Sequence, residues 1–184
     1  MNTKHFILFT FLLLFVTPLS SQNMSREIGI RFSGLDDFDF IYKKSADGMK
    51  YKRYRIAATN ISVAMVDDTR FSFIFNFARG IEKRKSVNDQ LKFIYGWEPG
   101  INFSLAYANE SALGTVGIYL GYVLGFQYDF SDKFYVNIET IPTLALSTNY
   151  TDEDFGEDVL INAGFNSSSA ALTLAYKFSS PARK

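Results

Sequence analysis

The sequence predicts an all-β protein, an eight-stranded antiparallel transmembrane β-barrel preceded by a cleaved signal peptide. Three observations lead to this fold class. The chain begins with a short apolar run, apolar residues then recur at every second position, and the bulky ones share one face while Gly, Ala, Ser and isolated charges occupy the other. The interior of an eight-stranded barrel is only just wide enough for side chains. We therefore expect the bulky face to point outward, into lipid.

The composition fits one domain of ordinary size and excludes several classes of function. Among 184 residues, 19 Lys and Arg balance 19 Asp and Glu, and 47% of the residues are hydrophobic. Zero net charge argues against a nucleic-acid partner. The absence of Cys excludes a disulfide framework and a thiolate metal site. No motif for a cofactor is present, and we expect none to be bound.

The first 21 residues are predicted to be a secretory signal peptide. Lys4 and His5 precede the apolar run 6–16, and small residues lead to Gln22. A basic start, a short apolar stretch and a small-residue exit are typical of a signal peptide, and the apolar run is too short to span a bilayer as a helix. Cleavage is placed after Ser21, so that residues 22–184 form the barrel domain. An uncleaved anchor is the alternative.

The first four strands are predicted at 27–33, 38–43, 51–65 and 71–77. In the first, Ile28, Ile30 and Phe32 alternate with charged or small residues, and the same period of two continues in the second and fourth. Period two places one set of side chains on each face of a strand. The third strand loses this phase near 59–61, which predicts a β-bulge there.

The last four strands are predicted at 91–107, 115–130, 134–146 and 172–178. Every odd position from Leu91 to Tyr107 is apolar or Pro, and none of these stretches has the period of a helix. Pro99 and Pro142 lack the N–H that a closed ladder requires, so each is expected at a bulge or near a membrane boundary. We interpret Glu98-Pro99-Gly100 as a bulge. A soluble lipocalin-like barrel, with its apolar face inside, is the alternative that the faces oppose.

An even number of strands returns the chain to its starting side, so both termini are expected in the periplasm. The connections at 45–50, 86–89 and 131–132 are then periplasmic, and those at 35–37, 66–69, 108–113 and 149–167 face the outside. A competing arrangement joins 27–43 into one strand, makes 159–165 a separate strand and inverts the middle loops. The first arrangement is favoured because it places the longest polar loop outside.

Eight short motifs occur along the mature chain: Ile28-Gly29, Tyr54-Arg55-Ile56, Asn60-Ile61-Ser62, Glu82-Lys83-Arg84-Lys85, Leu91-Lys92-Phe93, Gly125-Phe126-Gln127-Tyr128, Phe134-Tyr135-Val136-Asn137-Ile138-Glu139 and Leu174-Ala175-Tyr176-Lys177-Phe178. Through these motifs the mature chain resembles an uncharacterised group of porin-like, small OmpA/OmpX-type outer-membrane β-barrel proteins from Bacteroidetes. The resemblance covers nearly all of residues 26–178. This resemblance implies a location in the outer membrane and contact with its lipid and lipopolysaccharide. It also implies insertion by the barrel-insertion machinery, which recognises an aromatic residue at the end of the last strand. Tyr176 and Phe178 match that signal, although Ser179 to Lys184 follow them.

Charged residues on the inward face form the main candidate site. Unpaired charge in a narrow interior is costly, so their near balance predicts salt bridges that fill the barrel. A gated polar pathway is the alternative. Arg79, which shares the outward face with Phe77, is expected either to reach toward a lipid headgroup or to lie at the interface. The predicted lumen residues are Glu27, Arg31, Asp39, Lys43, Arg55, Glu82, Arg84, Lys92, Glu98, Asp129, Glu139 and Lys177.

The sequence contains incomplete patterns for two further chemistries, a calcium site and a hydrolase. The acidic stretch with Asp152, Asp154, Glu157 and Asp158 is faintly similar to a calcium loop but lacks the distal Glu of an EF-hand. The only His leaves with the signal peptide, so a hydrolase would lack its most common base. The sequence therefore predicts a non-enzymatic barrel with a structural or surface-interaction role. A narrow channel or small-ligand binder, and an accessory subunit of an envelope secretion machine, are the alternatives.

Overall fold

The computed structural model describes residues 24–34, 37–66, 68–108, 111–151, 155–165 and 169–179. Residues 1–23, and with them the predicted signal peptide, lie outside the described part of the chain. Within the described residues, no helix is long and apolar enough to cross a membrane. The strands are β1 (Ser25–Phe32), β2 (Phe38–Ser45), β3 (Lys50–Val66), β4 (Asp68–Ser86), β5 (Leu91–Ala108), β6 (Ser111–Asp129), β7 (Phe134–Thr140), β8 (Thr143–Thr151), β9 (Phe155–Gly164) and β10 (Ala170–Ser179).

These ten segments form a closed antiparallel barrel with eight strands in its wall. Strands β1 to β6 pair in sequence, and β10 closes the ring by pairing with both β7 and β1. One edge of β6 pairs with β7 through 124–129 and with β8 through 113–121, so β7 and β8 are two halves of the seventh wall strand. Strand β9 pairs with β8 and is the outer half of the eighth strand. The predicted all-β fold, a closed antiparallel barrel of eight wall strands, is confirmed.

The two prolines within predicted strands differ. Pro142 lies in an interruption of the seventh wall strand, where pairing ends at Thr140 in β7 and resumes at Thr143 in β8. The bulge predicted near 59–61 is present, as a register shift between Thr59 and Ser62. The bulge predicted at Pro99 is wrong. The β4–β5 ladder omits the pairs at 98–99 but resumes in the same register, because a missing N–H removes a hydrogen bond without requiring an extra residue.

Both predicted arrangements of the chain need correction around residue 155–165. The favoured one made 149–167 a loop, whereas 155–164 is a strand that pairs with β8. The competing one made 159–165 a separate wall strand and joined 27–43, whereas β1 and β2 form a hairpin with Phe32 opposite Phe38. Val159, Leu160 and Ile161 are all exposed, by 68%, 47% and 69%. Backbone pairing with β8 holds this strand although the side chains at 159–161 are all exposed. Because neither face is buried there, apolar and polar residues do not alternate in its sequence.

The two faces of the wall divide as the alternation predicts. Large apolar side chains such as Ile28, Trp97 and Ile138 are exposed on the outside. The four largest fully buried side chains, Arg31, Arg53, Tyr135 and Lys43, are charged or polar. The barrel therefore has a polar core and an apolar surface, the arrangement that lipid accommodates and water does not.

The start of β1 and the end of β10 lie at one end of the barrel. Ser25 pairs with both Ser179 and Ser45, so these two strand ends and the turn 46–49 are together. The turns 87–90 and 130–133 lie at this same end, which we call the turn end. The opposite end, where 33–37 connect β1 to β2, is called the loop end.

Candidate functional site

The inward face brings together all of the predicted lumen residues. Each of the twelve points into the barrel and belongs to an ion pair. Eight of their side chains are buried, and the remaining four, Arg55, Lys92, Asp129 and Lys177, are 14%, 27%, 13% and 20% exposed. The interior is therefore a continuous set of charged contacts with a slightly wetter edge at the turn end.

The centre of this set is Arg53, which is absent from the sequence-based prediction. Its Nε donates to Glu98 at 2.5 Å, and its two terminal nitrogens donate to the two carboxylate oxygens of Glu139 at 2.7 Å each. One of these nitrogens also lies 3.3 Å from Glu82. Arg53 is 0% exposed. A buried guanidinium is tolerated when its donors are satisfied, and forked pairing with a carboxylate satisfies them best.

The Arg53–Glu139 contact crosses the full width of the barrel. Arg53 lies on β3 and Glu139 on β7, and these strands are four places apart in a ring of eight. Two hydrogen bonds of 2.7 Å therefore connect opposite walls. Side chains in contact across the diameter leave no room for a water column between them.

Toward the turn end, Arg84 forms a second forked pair. Its terminal nitrogens donate to both oxygens of Glu27 at 2.9 and 2.6 Å, and its Nε donates to Glu82 at 2.8 Å. The Tyr135 hydroxyl donates to Glu27 at 2.7 Å, and the Arg84 guanidinium lies 3.7 Å from the centre of the Tyr51 ring. Stacking and pairing together fix the guanidinium plane.

Lys43 connects these two arginine-centred groups. Its Nζ lies 2.6 Å from Glu82, and both side chains are fully buried. Glu82 therefore forms ion pairs with Lys43, Arg53 and Arg84 together. A carboxylate that several cations share is held in its charged form, which an isolated buried carboxylate would not be.

Toward the loop end, Asp39 and Glu98 link two further arginines. Arg31 donates to Asp39 at 3.0 Å and to Glu139 at 2.7 Å. Arg55 donates to Asp39 and Glu98 at 2.8 Å each, and to the Tyr119 hydroxyl at 2.9 Å. These contacts extend the charged set until it reaches an open cavity.

The main cluster is neutral by composition. It contains five acidic side chains, Glu27, Asp39, Glu82, Glu98 and Glu139, and five basic ones, Arg31, Lys43, Arg53, Arg55 and Arg84. A smaller group at the turn end joins Asp129 to Lys92 and Lys177 at 2.8 Å each. Desolvation makes any single buried charge costly, and only a balanced set offsets it. The arrangement is that of a plug.

A polar vestibule lies above the plug at the loop end. It has a volume of about 240 Å³, and its floor is formed by Arg31, Asp39 and Arg55. Asn76, Asn102 and Tyr119 are among the side chains of its walls. The vestibule is wide enough for a small polar molecule, and the plug separates it from the turn end.

The predicted metal residues lie largely beyond the structure. Asp152 and Asp154 fall outside the described residues, and the side chains of Glu157 and Asp158 are not among those described. Among the described residues, no group of three or more His, Cys, Asp or Glu could hold a metal ion. Calcium binding by the acidic loop stays a prediction.

The inward position of Arg53 could have been predicted from the alternation of side chains along its strand. Arg53 and Arg55 are two positions apart in one strand, so both must share a face. The third strand loses its phase only beyond Thr59, so the rule holds where Arg53 lies. The forked contact with Glu139 carries no such signal, because the two residues are 86 positions apart.

Comparison with known proteins shows similarity at the level of shape. No family model and no curated protein sequence matches the chain. Among solved structures, the chain is similar to Ail, the attachment invasion locus protein of Yersinia pestis, with a TM-score of 0.47 and 10% identity over 85% of this chain and 99% of that one. The structure of Ail in complex with the heparin analogue sucrose octasulfate gives a TM-score of 0.45 and 12% identity over the same shares.

Proposed function

We propose that this chain is a non-conducting, non-enzymatic β-barrel of the outer membrane with a structural or surface-interaction role, its turn end in the periplasm. The observation that carries the proposal is the Arg53–Glu139 contact, which joins opposite walls in the middle of a neutral plug. The apolar outer wall supports a membrane location, since such a surface needs lipid. Two periplasmic termini are consistent with the even strand number of the wall.

The surface role is supported by unequal strand lengths. Strands β1 and β2 have 8 residues each, whereas β3 to β6 have 17 to 19. The sheet β3-β4-β5-β6-β8-β9 therefore extends beyond the ring at the loop end. Its last strand exposes Val159 and Ile161, and Phe165 follows at 74% exposure. Apolar side chains beyond the lipid-facing wall are suited to contact with another protein.

The state of the interior also supports a role without catalysis. Catalytic acids and bases need a free path to substrate and a proton to exchange. Four of the five carboxylates in the main cluster instead contact two or more cations, as Glu82 and Glu139 do, and Glu27 is held by Arg84 and the Tyr135 hydroxyl. A purified barrel with lipase, protease or lipid-acyl-transfer activity would contradict this part of the proposal.

Planar-bilayer recording tests the closed lumen. We expect no steady conductance from the mature chain, because the plug fills the cross-section. The double variant Arg53→Ser, Glu139→Ser removes both sides of the central contact and provides the positive control, with steady conductance expected from it. Steady conductance of the unmodified chain would favour the channel alternative.

A small-ligand role is the second candidate, favoured by the vestibule of about 240 Å³. Its floor presents two guanidinium groups and one carboxylate, a pattern suited to a small polar or anionic molecule. Equilibrium dialysis against acidic sugars and dicarboxylates would detect such binding, and Arg55→Gln would abolish it. Stable co-purification with envelope proteins would instead favour the role of an accessory subunit.

A further inference from the structure

The outer face of four neighbouring strands carries a strip of cations at the turn end. We define the basic strip by six residues, Arg26 on β1, Lys44 on β2, Lys50 and Lys52 on β3, and Arg79 and Lys83 on β4. Each alternates with an inward residue, so all six point away from the lumen. Lys50, Lys52, Arg79 and Lys83 are exposed.

The register places like charges directly opposite one another. Arg26 pairs with Lys44, and Lys44 pairs with Lys52. Lys50 pairs with Lys83. Like charges directly opposite in an antiparallel sheet are destabilising. Three such pairs in one patch destabilise the folded state by electrostatic repulsion, and a bound anion would reduce this repulsion.

No protein carboxylate reduces this repulsion among the described residues. The ion pairs of the described chain lie in the lumen, and none includes a member of the basic strip. The Nε of Arg26 is buried and has no hydrogen-bond partner within the described residues. The strip therefore has positive charge and at least one unused donor.

Aromatic rings hold several of the cations near one another. Lys44 Nζ lies 5.7 Å and the Arg79 guanidinium 5.9 Å from the centre of the Tyr54 ring. Lys83 Nζ lies 5.9 Å from the centre of the Tyr95 ring. Cation–π contact keeps a charge beside an aromatic face instead of letting it disperse into solvent. The strip is thus partly ordered before anything binds.

An apolar groove adjoins the strip on the same outer wall. It has a volume of about 690 Å³, and Lys50, Lys52, Arg79 and Lys83 lie along it with Tyr95, Trp97, Pro99 and Tyr122. The backbones of Gly80 and Gly96 also line this groove. A molecule that fits both parts must have an anionic head and an apolar chain.

We propose that the basic strip and this groove bind one anionic glycerophospholipid from the leaflet beside the turn end. The phosphate lies among Lys52, Lys83 and Arg79, and an acyl chain lies in the groove against Trp97 and Tyr122. A lipid is the occupant because the groove is on the lipid-facing wall, and the charge of its headgroup complements the strip. The choice of phospholipid over lipopolysaccharide rests on the proposed function, which puts the turn end in the periplasm.

Trp97 supplies the measurement, because it is the only Trp in the chain and lines the groove. The mature chain is refolded into vesicles that mix phosphatidylcholine with phosphatidylglycerol, with bromine on the acyl chains of one lipid or the other. Bromine quenches Trp97 only at contact range. We expect brominated phosphatidylglycerol to quench more than an equal mole fraction of brominated phosphatidylcholine, which corresponds to a binding preference of about tenfold at low salt.

Matched charge variants separate a site from general attraction. Lys52→Gln and Lys133→Gln each remove one positive charge, but Lys133 lies in the turn 130–133 and outside the strip. We expect Lys52→Gln to lower the preference by up to about fivefold and Lys133→Gln to leave it unchanged. The double variant Lys52→Gln, Lys83→Gln should remove most of the preference. Heat-modifiable gel mobility verifies that every variant is folded.

Three results would overturn the proposal. Equal quenching by the two brominated lipids would show that no anionic lipid is selected. Equal losses from Lys52→Gln and Lys133→Gln would show a diffuse surface potential. Displacement of quenching by lipid A, with no preference for phosphatidylglycerol, would place the strip in the other leaflet. Conductance of the unmodified barrel with the lipid preference intact would refute the proposed function alone.

Discussion

The inner and outer faces of strands β1 to β4 carry similar numbers of cations with opposite outcomes. Inside, Arg53 and Arg84 each contact at least two carboxylates. Outside, Lys44 and Lys52 lie opposite each other and belong to no ion pair within the described chain. The inner face of β1, β2 and β4 also carries Glu27, Asp39 and Glu82, and the shape of the wall decides how far a cation can reach for a carboxylate on another strand.

Curvature explains the difference. On the concave inner face, long side chains from all strands converge, so Arg53 on β3 reaches Glu139 on β7. On the convex outer face, side chains diverge, and each cation can interact only with its immediate neighbours in the sheet. A barrel can therefore balance inner charges across its width, whereas outer charges depend on neighbours or on the surrounding medium.

The largest expected effect is the loss of Arg53. Arg53→Gln leaves Glu82, Glu98 and Glu139 with one cation fewer in a fully buried site. Removing one partner from a buried ion pair costs about 3–5 kcal/mol. We expect a decrease of this size in the free energy of unfolding, measured by urea titration in lipid vesicles.

The variant Arg53→Lys separates the contribution of the positive charge to stability from the contribution of the forked guanidinium geometry. Arg53→Lys keeps the cation but has one ammonium in place of a planar fork, so it should recover only part of the lost stability. If Arg53→Gln changes the free energy of unfolding by less than about 1 kcal/mol, the central contact is not a buried pair of the kind described.

The second effect concerns space on the inner face. A Cβ added at Gly96 would lie within 1.9 Å of the Ile81 backbone oxygen. Gly96→Ala must therefore separate β4 from β5 locally, and overpacking of this kind costs about 1–3 kcal/mol. Urea titration of Gly96→Ala checks this. Lys85→Ala, which removes an exposed outward side chain from the neighbouring strand, should have little effect and is the control.

The fold could be predicted because period two reports which face a residue occupies. The same alternation placed twelve charged residues in the lumen. It would also have placed Arg53 there, because Arg53 lies two positions from Arg55 in the same strand. Strand β9 could not be predicted, because Val159, Leu160 and Ile161 are all exposed and share no buried face. Contacts such as Arg53 with Glu139 depend on how the ring closes, which alternation within one strand does not encode.

The outer face should show the opposite response to loss of a cation. Lys52→Gln removes one of two like charges that lie directly opposite each other. In vesicles of neutral lipid, we expect the free energy of unfolding to stay unchanged or to rise by a few tenths of a kcal/mol, since opposed like charges cost about 0.2–1 kcal/mol. In phosphatidylglycerol vesicles the same variant should lose stability. A loss of stability in both lipids would show that Lys52 has a structural partner.

The smallest effect is expected at an exposed charge that the backbone itself compensates. In the turn 46–49, Asp47 Oδ1 accepts from the backbone N–H groups of Met49 and Lys50 at 2.9 Å each. These donors hold the pKa of Asp47 below its ordinary value of 3.8. A folded-state pKa below the unfolded value contributes stability that is present above pH 3.8 and is lost as the pH falls through the lower, folded pKa. Asp47→Asn should therefore lower stability slightly at pH 7 and equal the unmodified chain in strong acid. An unchanged difference at both pH values would show that the carboxylate charge has no part in the turn.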